Sequence, residues 1–347
     1  MKILPDQVIL IGCGSIGEKY LAYIESTDIE CVVADPRKDI LSKKFRAKND
    51  KISWIQDLSH APEAFLNSTC VAIIANWGPD HFKTFSYLVL KGVKNFIIEK
   101  PIVSRMNQLV ALEKIISKKK LNVVINQGWE SNKYPESLIN IFDSLNLGQL
   151  QMMVVHGGAR CIATAGSHYI HVAQRLFRKE PKNVFANLQN NSINPRNQNL
   201  SYFQGSLCVE FSHDKYLSMN FSNQSSIEGE VNLYWKDAFA TIIQNKIVIH
   251  KLPSEREYAN IITRYSTPNI EVYNSFIVEN NFESNFAVQT LFKKVLSGPR
   301  DNLLDLKLHL TSAKILLLGL ISSDMQQKLF INHKSHMRYF WKDYKIS

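Results

Sequence analysis

The chain has 347 residues, of which 45% are hydrophobic and 21% charged, and its formal net charge is +10. This length suggests two domains, each large enough for its own core, and the composition is typical of a soluble globular protein. No apolar run reaches eighteen residues and the first residues lack a signal-peptide pattern, so we expect no membrane partner and a cytoplasmic location. The five scattered cysteines contain no C-x-x-C pair, which argues against a disulfide framework or a zinc site.

The first third of the chain alternates strand and helix patterns. Continuous apolar strands separated by amphipathic helices predict βαβ units in a doubly wound parallel sheet, an α/β domain over residues 1–125. The predicted strands are Val8–Ile11, Glu30–Ala34, Val71–Ala75, Asn95–Ile98 and Leu121–Ile125, and the predicted helices are Ser15–Ile24, Asp80–Leu90 and Met106–Lys118.

The pattern changes after Gly148, where short strands joined by polar turns predominate. They predict an α+β domain with a mainly antiparallel sheet over residues 126–347. Its predicted strands are Leu150–His156, Ser206–Phe211, Tyr216–Phe221, Val231–Trp235, Ala238–Ile243 and Ile247–Leu252, and its predicted helices are Gly166–Phe177, Phe282–Leu296 and Leu304–Ser322. The last helix is a candidate for packing back on the first domain. We expect the basic, aromatic tail Lys328–Ser347 to dock either on a core or on a second subunit.

A glycine-rich loop joins the first strand to the first helix. Its pattern is Gly12-x-Gly14-x-x-Gly17, with Ser15 and Ile16 opening the helix. The first glycine permits the tight turn, the second lets a pyrophosphate approach the backbone, and the third allows close packing of helix on strand. The free N–H groups of the helix start attract phosphate. We therefore predict a Rossmann dinucleotide site that includes these five residues.

Asp35 ends the second predicted strand, eighteen residues after Gly17. This is the expected place for a carboxylate that accepts hydrogen bonds from the adenosine ribose. Such a carboxylate repels a 2′-phosphate, so we favour NAD over NADP. Arg37 leaves NADP open, because its side chain could hold that phosphate.

Glu99-Lys100-Pro101 ends the fourth predicted strand. Strand carboxyl ends of an open α/β sheet face the ligand crevice, so Lys100 would lie beside the dinucleotide. A neighbouring positive charge lowers the pKa of a lysine, which would let it hold a substrate oxygen and share a proton. The alternative is a surface lysine at a strand end.

Together these features resemble the glucose–fructose oxidoreductase / inositol dehydrogenase (Gfo/Idh/MocA) family. The family's usual Ala-Thr-Pro-Pro-x-x-His segment matches here in length and in His81, while Asn76 and Trp77 replace Thr and Pro. The resemblance is carried by Gly12–Gly17, Ala75–His81, Glu99–Pro101, Asn126 and Gly148.

The resemblance implies a two-domain NAD(P)-dependent oxidoreductase, a homodimer or homotetramer joined through the outer face of the second sheet. It implies cofactor contacts from Asn76, His81 and Glu99. It also implies that His168 is the catalytic histidine. Thr164 stands where many members have Asp, and His171 stands where the family has a later Asp.

Histidine chemistry supports that assignment, because an unperturbed imidazole can accept a hydroxyl proton near neutral pH. The competing interpretation is a histidine that merely packs at a domain interface. His156 and His171 are structural or substrate-contact candidates. His168 and His171 are spaced for a metal site, but no carboxylate or cysteine completes it, so we expect no metal.

These observations predict an NAD(P)-dependent dehydrogenase or reductase acting on the CH–OH group of a sugar or nucleotide-linked sugar, with a role in surface-glycan synthesis. The basic charge suits an anionic substrate, whereas nucleic-acid binding needs a clustered basic face that the sequence does not indicate. The substrate-contact candidates are Lys100, Trp129, Tyr134, Arg160 and His168; the fork of Arg160 suits phosphate or carboxylate. Two alternatives stay open: a catalytically altered NAD(P)-binding regulatory or scaffold protein, and reduction of an imine or bile-pigment-like substrate.

Overall fold

Two β-sheets, one parallel and one mainly antiparallel, organise the chain in this computed structural model. The structure describes residues 4–37, 50–158, 160–190, 194, 198–222, 224–227, 229–251, 271–278, 284–332 and 339–346. Within these ranges, no helix is both long and apolar enough to cross a membrane.

The first sheet has six parallel strands in the order β3-β2-β1-β4-β5-β6. Its strands are β1 (Gln7–Ile11), β2 (Glu30–Ala34), β3 (Ile52–Ile55), β4 (Val71–Ile74), β5 (Asn95–Glu99) and β6 (Asn122–Asn126). The helices between them are α1 (Ser15–Glu25), α2 (His81–Leu90) and α3 (Met106–Lys119). The strand order reverses direction between β1 and β4, so a crevice opens beyond the carboxyl ends of these strands. The predicted doubly wound α/β domain is confirmed.

The second sheet has nine strands in the order β14-β13-β12-β11-β7-β10-β9-β8-β15. Among the described residues of this sheet, only β7 and β10 pair in parallel, so the predicted mainly antiparallel sheet is confirmed. Its strands are β7 (Met152–Gly158), β8 (Pro181–Gln189), β9 (Gln204–Phe211), β10 (Lys215–Ser222), β11 (Glu230–Tyr234), β12 (Ala238–Ile243), β13 (Lys246–Lys251), β14 (Glu271–Ile277) and β15 (Leu329–Phe330). The described residues after β6 form five helices: α4 (Gly128–Ser131), α5 (Tyr134–Ser144), α6 (Ile162–Phe177), α7 (Ser284–Ser297) and α8 (Leu303–Met325).

Several elements were not predicted. The edge strand β3 has one fully buried residue, Ile52, which is too weak an apolar signal to recognise. β8 begins at a proline and alternates irregularly, and α5 begins at Tyr134, after the left-handed residue Lys133 and with Pro135 in its first turn. α6 begins at Ile162 rather than at the predicted Gly166, and that glycine lies inside the helix, where it is buried and close to Leu316 of α8.

The two closing helices divide their contacts between the sheets. α7 lies against α1, β5 and β6, and its Leu291, Phe292 and Val295 are buried in the same core cluster as Val8. α8 packs mainly on β8 and α6 but also touches α3 and β6. We expected only the helix at 304–322 to reach back, and in the structure α7 makes the larger contact with the first sheet. The boundary between residues 125 and 126 stays a prediction.

The tail docks on this chain's own core in the residues described. Tyr344 and Ile346 are buried, and the tail backbone bonds to two regions: Tyr344 N–H donates to Ser104 O at 3.3 Å, and Ser201 N–H donates to Lys345 O at 3.1 Å. Arg105 Nη2 also lies 2.6 Å from Asp343 Oδ2. Parts of the predicted tail (333–338 and 347) and of the predicted loop Gln189–Leu200 (191–193 and 195–197) lie outside the described residues.

Candidate active site

The glycine loop leaves space for a ligand where the sequence predicts it. A Cβ at Gly12, whose φ is +87°, would collide with the backbone of Asn76, and a Cβ at Gly17 would collide with the carbonyl of Gly12. Gly14 instead faces open space with nothing within 4 Å of a Cβ. No side chain caps the start of α1 there, so its N–H groups are available to an anion.

A cavity of about 760 Å³ extends from this loop across the ends of β1, β2 and β4. Its wall includes Gly12, Gly14, Asp35, Arg37, Asn76 and Trp77. Trp77, which replaces the family's proline, is 41% exposed there. Of the other predicted cofactor contacts among the described residues, Ser15, Ile16, Gly17, His81 and Glu99 are not on this wall, and their contacts with cofactor stay predictions.

Asp35 and Arg37 form a fork at the far end of the cavity. Arg37 Nε and Nη2 donate to the two carboxylate oxygens at 2.9 and 2.8 Å, and the backbone N–H groups of Cys13 and Arg37 donate at 2.7 and 3.0 Å. Burial opposes ionisation, but these four bonds hold the pKa of Asp35 below its usual range. The carboxylate therefore organises both the glycine loop and Arg37.

His81 is a buried connector between two ligand-binding segments. Its Nδ1 lies 2.8 Å from Pro101 O, and its Nε2 lies 3.0 Å from Asn76 O. Burial lowers the pKa of His81, and the carbonyls of Asn76 and Pro101 offset only part of this effect. The ring thus ties the segment after β4 to the segment that carries Lys100.

Glu99 is also held internally. Its Oε1 accepts hydrogen bonds from Tyr20 Oη at 2.7 Å and from Asn126 Nδ2 at 2.6 Å. Ser131 Oγ in turn donates to Asn126 Oδ1 at 3.0 Å. Burial raises the pKa of Glu99, and the bonds from Asn126 and Tyr20 counteract that effect. The acid therefore joins the strand end that carries Lys100 to α1 and to the end of β6.

Lys100 follows a strand of the first sheet and His168 lies on a helix that packs on the second, and the lysine charge acts on the histidine. Lys100 follows β5 directly, and His168 lies on α6, partly exposed. Burial, then the positive charge of Lys100, holds the pKa of His168 well below its usual range. His168 is thus neutral at pH 7 and able to accept a proton. Its Nδ1 is buried without a partner among the described residues, which leaves Nε2 as the nitrogen that a ligand can reach.

Aromatic side chains surround His168. The Trp129 ring stacks on the imidazole, with centroids 5.0 Å apart and planes at 30°, and it also contacts Tyr134 at 5.4 Å and Tyr169 at 5.0 Å. Arg160 Nη1 donates to Tyr169 Oη at 3.3 Å. The structure therefore brings the predicted substrate contacts Trp129, Tyr134 and Arg160 to the same place as His168.

Two positions that depart from the family pattern have local explanations. Thr164 Oγ1 donates to Cys161 O at 3.1 Å, so the hydroxyl serves the first turn of α6. His171 is 1% exposed and faces Glu130, with Nε2 2.9 Å from Oε2. Of the two roles we had left open for His171, burial supports the structural one. Sequence reasoning missed Tyr20, Glu130 and Tyr169, because nothing local marks residues whose partners lie far away along the chain.

The described residues contain no group of three or more His, Cys, Asp or Glu side chains placed to hold a metal ion. The sequence likewise indicates no complete set of metal ligands, and the absence of a bound metal stays a prediction.

Residues 7–127 match the model of an oxidoreductase family described as having an NAD-binding Rossmann fold. This stretch belongs to the Gfo/Idh/MocA family. The match confirms the resemblance seen in the sequence, and NAD is the cofactor of this domain. The open space at Gly14, the uncapped start of α1 and the Asp35–Arg37 fork all fit a dinucleotide.

Solved structures share the fold over almost the whole chain. An Agrobacterium radiobacter oxidoreductase in complex with NAD+, L-tartaric acid and magnesium has a TM-score of 0.67 at 11% identity, covering 95% of this chain and 99% of its own. A Corynebacterium glutamicum myo-inositol dehydrogenase has a TM-score of 0.62 at 14% identity, and the match covers 95% of this chain and 100% of the other. The super-repressor mutant of Saccharomyces cerevisiae Gal80p has a TM-score of 0.67 at 12% identity, covering 95% and 100%. No curated protein sequence matches this chain.

Proposed function

We propose that the chain is an NAD(P)-dependent oxidoreductase that acts on a carbinol carbon of a sugar or nucleotide-linked sugar, in the cytoplasm, in the synthesis of surface glycans. One observation carries the proposal. His168 from the second domain lies close enough to Lys100 from the first for the lysine charge, after burial, to lower the pKa of the imidazole, beside strand ends that lead to the dinucleotide cavity.

In the proposed chemistry, Lys100 and His168 have different roles at the reacting hydroxyl group. When bound, NAD supplies the ring carbon that accepts or returns a hydride. The Lys100 ammonium donates a hydrogen bond to the reacting oxygen and holds it in place. His168 Nε2 accepts the hydroxyl proton during oxidation and returns it during reduction. Thr164 contributes no carboxylate, so His168 works without the acid that many relatives have.

The walls of the site suit a carbohydrate. The C–H faces of a sugar pack on flat aromatic rings, and Trp129 and Tyr134 offer such rings beside His168. Arg160 offers a fork for a phosphate or carboxylate of a nucleotide-linked sugar. The neighbour named as a myo-inositol dehydrogenase supports a polyol-like substrate.

The same proposal includes a homodimer or homotetramer. Met152, Phe185 and Tyr216 are 36%, 43% and 44% exposed and lie on the outer face of the second sheet. Such a patch on a sheet face is typical of a subunit interface. Tyr216→Lys should lower the mass measured by analytical ultracentrifugation, and an unchanged mass would contradict the use of this face.

A regulatory NAD(P)-binding protein is the second candidate. It is favoured by Thr164 in place of the acid, and by the fold shared with a protein named as a repressor mutant. Under this alternative, NAD would bind but no polyol or sugar would be turned over, and a protein partner would copurify.

The test is a panel of polyols, sugars and nucleotide sugars, each with NAD+ and NADP+, followed by absorbance at 340 nm. We expect at least one nucleotide-linked or free sugar to be oxidised. NAD binding by calorimetry without turnover on the whole panel would favour the regulatory alternative.

A further inference from the structure

Behind the candidate active site lies a buried acid–histidine pair that the proposed chemistry does not use. Glu130 Oε2 is 2.9 Å from His171 Nε2, and the two residues are 5% and 1% exposed. Isolated buried carboxylates are costly, so a buried pair of this kind is retained only where its partners compensate. We call Glu130 and His171 the inner pair.

Cations on two helices, α6 and α7, compensate the inner pair. Burial opposes ionisation, but the hydrogen bond from His171 and the charges of Arg175 on α6 and Lys294 on α7 hold the pKa of Glu130 below its usual range. Lys294 Nζ is 3.9 Å from Glu130 Oε1 and 2.8 Å from Asp305 Oδ2 on α8. Glu130 is therefore an ionised acceptor, and His171 donates to it.

Two further titratable groups complete these surroundings. The His309 ring on α8 stacks on His171, with centroids 4.4 Å apart and planes at 13°. Burial holds the pKa of His309 well below its usual range, so this ring is neutral beside the pair. Glu136 on α5 accepts from Arg175 Nη2 at 2.9 Å, which keeps that guanidinium near the pair.

The inner pair joins the same two helices as the stacked rings of the active site. Glu130 follows Trp129 on α4, and His171 lies one turn beyond His168 on α6. α4 has only four residues, so it cannot hold its own conformation in isolation. Its position depends on tertiary bonds, of which the inner pair is one and Gln127 Nε2 to Ser167 O, at 2.7 Å, is another.

We propose that Glu130 and His171 are positioning residues for His168. Their hydrogen bond holds α4 against α6, which keeps the Trp129 ring packed on the face of the His168 imidazole and limits the access of water to that face. The consequence for turnover rests on the proposed function; the consequence for the two rings does not. The competing explanation is that the pair only stabilises the core.

The test monitors the contact between the Trp129 ring and the His168 ring by fluorescence, without cofactor or substrate. A protonated imidazole quenches the fluorescence of a tryptophan that it touches, so Trp129 emission reports the charge of His168. The contribution of Trp129 is the difference between each protein and the same protein carrying Trp129→Phe, measured from pH 8 to pH 5.

We expect a flat profile for the wild type down to about pH 6. In Glu130→Ala, the bond from Gln127 to Ser167 still holds the start of α4 on α6, so Trp129 stays near the imidazole but packs on it less closely. More water then reaches His168, and a quenching step should appear with a midpoint near the ordinary histidine value of about 6.5. Glu130→Gln keeps a carbonyl acceptor for His171 and should restore most of the flat profile. If Glu130→Ala does not fold, His171→Leu, which removes the donor to Glu130, takes its place.

Gln174→Ala is the matched control. Gln174 lies one turn further along α6 and donates to Ser312 Oγ at 2.7 Å, so its loss weakens the core at α8 but not at α4. This variant should lose stability and keep the flat profile. A flat profile in Glu130→Ala, or equal steps in Glu130→Ala and Gln174→Ala, would overturn the proposal.

Measurements of turnover distinguish a failure of this inference from a failure of the proposed function. If the enzyme is active, Glu130→Ala should lower kcat about tenfold or more and leave the Kd for NAD unchanged. If the wild type shows no turnover on the sugar panel, the proposed function fails, and the fluorescence profiles still decide whether the inner pair positions His168.

Discussion

At the residue scale, Asp35 is a predicted ligand position whose carboxylate already has close protein partners. The sequence predicts a carboxylate that accepts hydrogen bonds from ribose hydroxyls, and in the described residues it accepts hydrogen bonds from Cys13 N–H and from Arg37. A carboxylate offers about four acceptor positions, so Asp35 is nearly saturated. Both side chains line the cavity, and we therefore expect the guanidinium that Asp35 orients, as well as the carboxylate, to contact the adenosine.

Arg37→Ala tests that view. Loss of the guanidinium removes a charged partner for a 2′-phosphate, an interaction of about 1.5–3 kcal/mol. We expect the ratio of the Kd for NADP to the Kd for NAD, measured by calorimetry, to rise about tenfold or more. An unchanged ratio would mean that Arg37 does not contact that phosphate. Lys91→Ala, an exposed cation at the end of α2, is the control.

At the element scale, two glycines of the loop allow its contribution to folding and its contribution to NAD binding to be tested separately. Gly12→Ala forces a side chain into the backbone of Asn76 at a positive φ, so we expect a loss of more than about 1 kcal/mol in the free energy of unfolding. Gly14→Ala meets open space and should fold normally while weakening NAD binding, because the methyl group occupies the approach of the pyrophosphate. Urea unfolding and calorimetry check both variants. Normal NAD affinity in Gly14→Ala would place the pyrophosphate elsewhere.

The C-terminal tail is an element whose packing the sequence left open. Tyr344 and Ile346 are 4% and 1% exposed, and burying a side chain of this size contributes about 1.5–3 kcal/mol. Deletion of residues 339–347 should therefore lower the free energy of unfolding by about 3–6 kcal/mol in urea. Trp341→Ala, at a residue that is 68% exposed, should change it by less than about 0.5 kcal/mol. Equal stability of the deleted and full chains would show that the tail does not dock in solution.

At the scale of the whole molecule, buried neutral histidines make stability depend on pH. The pKa of His309 is well below its usual range in the folded chain, because burial disfavours the cation. Below about pH 6.5 the unfolded chain takes up a proton there that the folded chain does not. The free energy of unfolding should therefore fall as the pH drops from 7.5 to 5.5, by up to about 1.4 kcal/mol per pH unit from this residue.

His309→Gln should remove that part of the slope, as measured by urea unfolding at pH 7.5, 6.5 and 5.5. His60→Gln, at an exposed position, should leave the slope unchanged. Parallel stability curves for the wild type and His309→Gln would contradict a buried neutral imidazole.

Local patterns predicted much of this architecture. The glycine loop, Lys100 and the alternation of strands and helices are visible in short windows, because each depends on neighbouring residues. The packing of α7 on the first sheet and the contact of Glu130 with His171 are not visible, because they join residues that are distant in sequence. His81 lies between these cases: the sequence marks it, but only the structure shows that it joins Asn76 to Pro101.

The central claim is that Lys100 holds the reacting oxygen beside NAD. It is tested most directly by comparing Lys100→Met with the wild type on the best sugar of the panel, with absorbance at 340 nm for kcat and calorimetry for NAD. Lys118→Met, at an exposed position on α3, is the control. We predict a fall in kcat of about 100-fold or more in Lys100→Met with an unchanged Kd for NAD. Undiminished turnover in Lys100→Met would contradict the account.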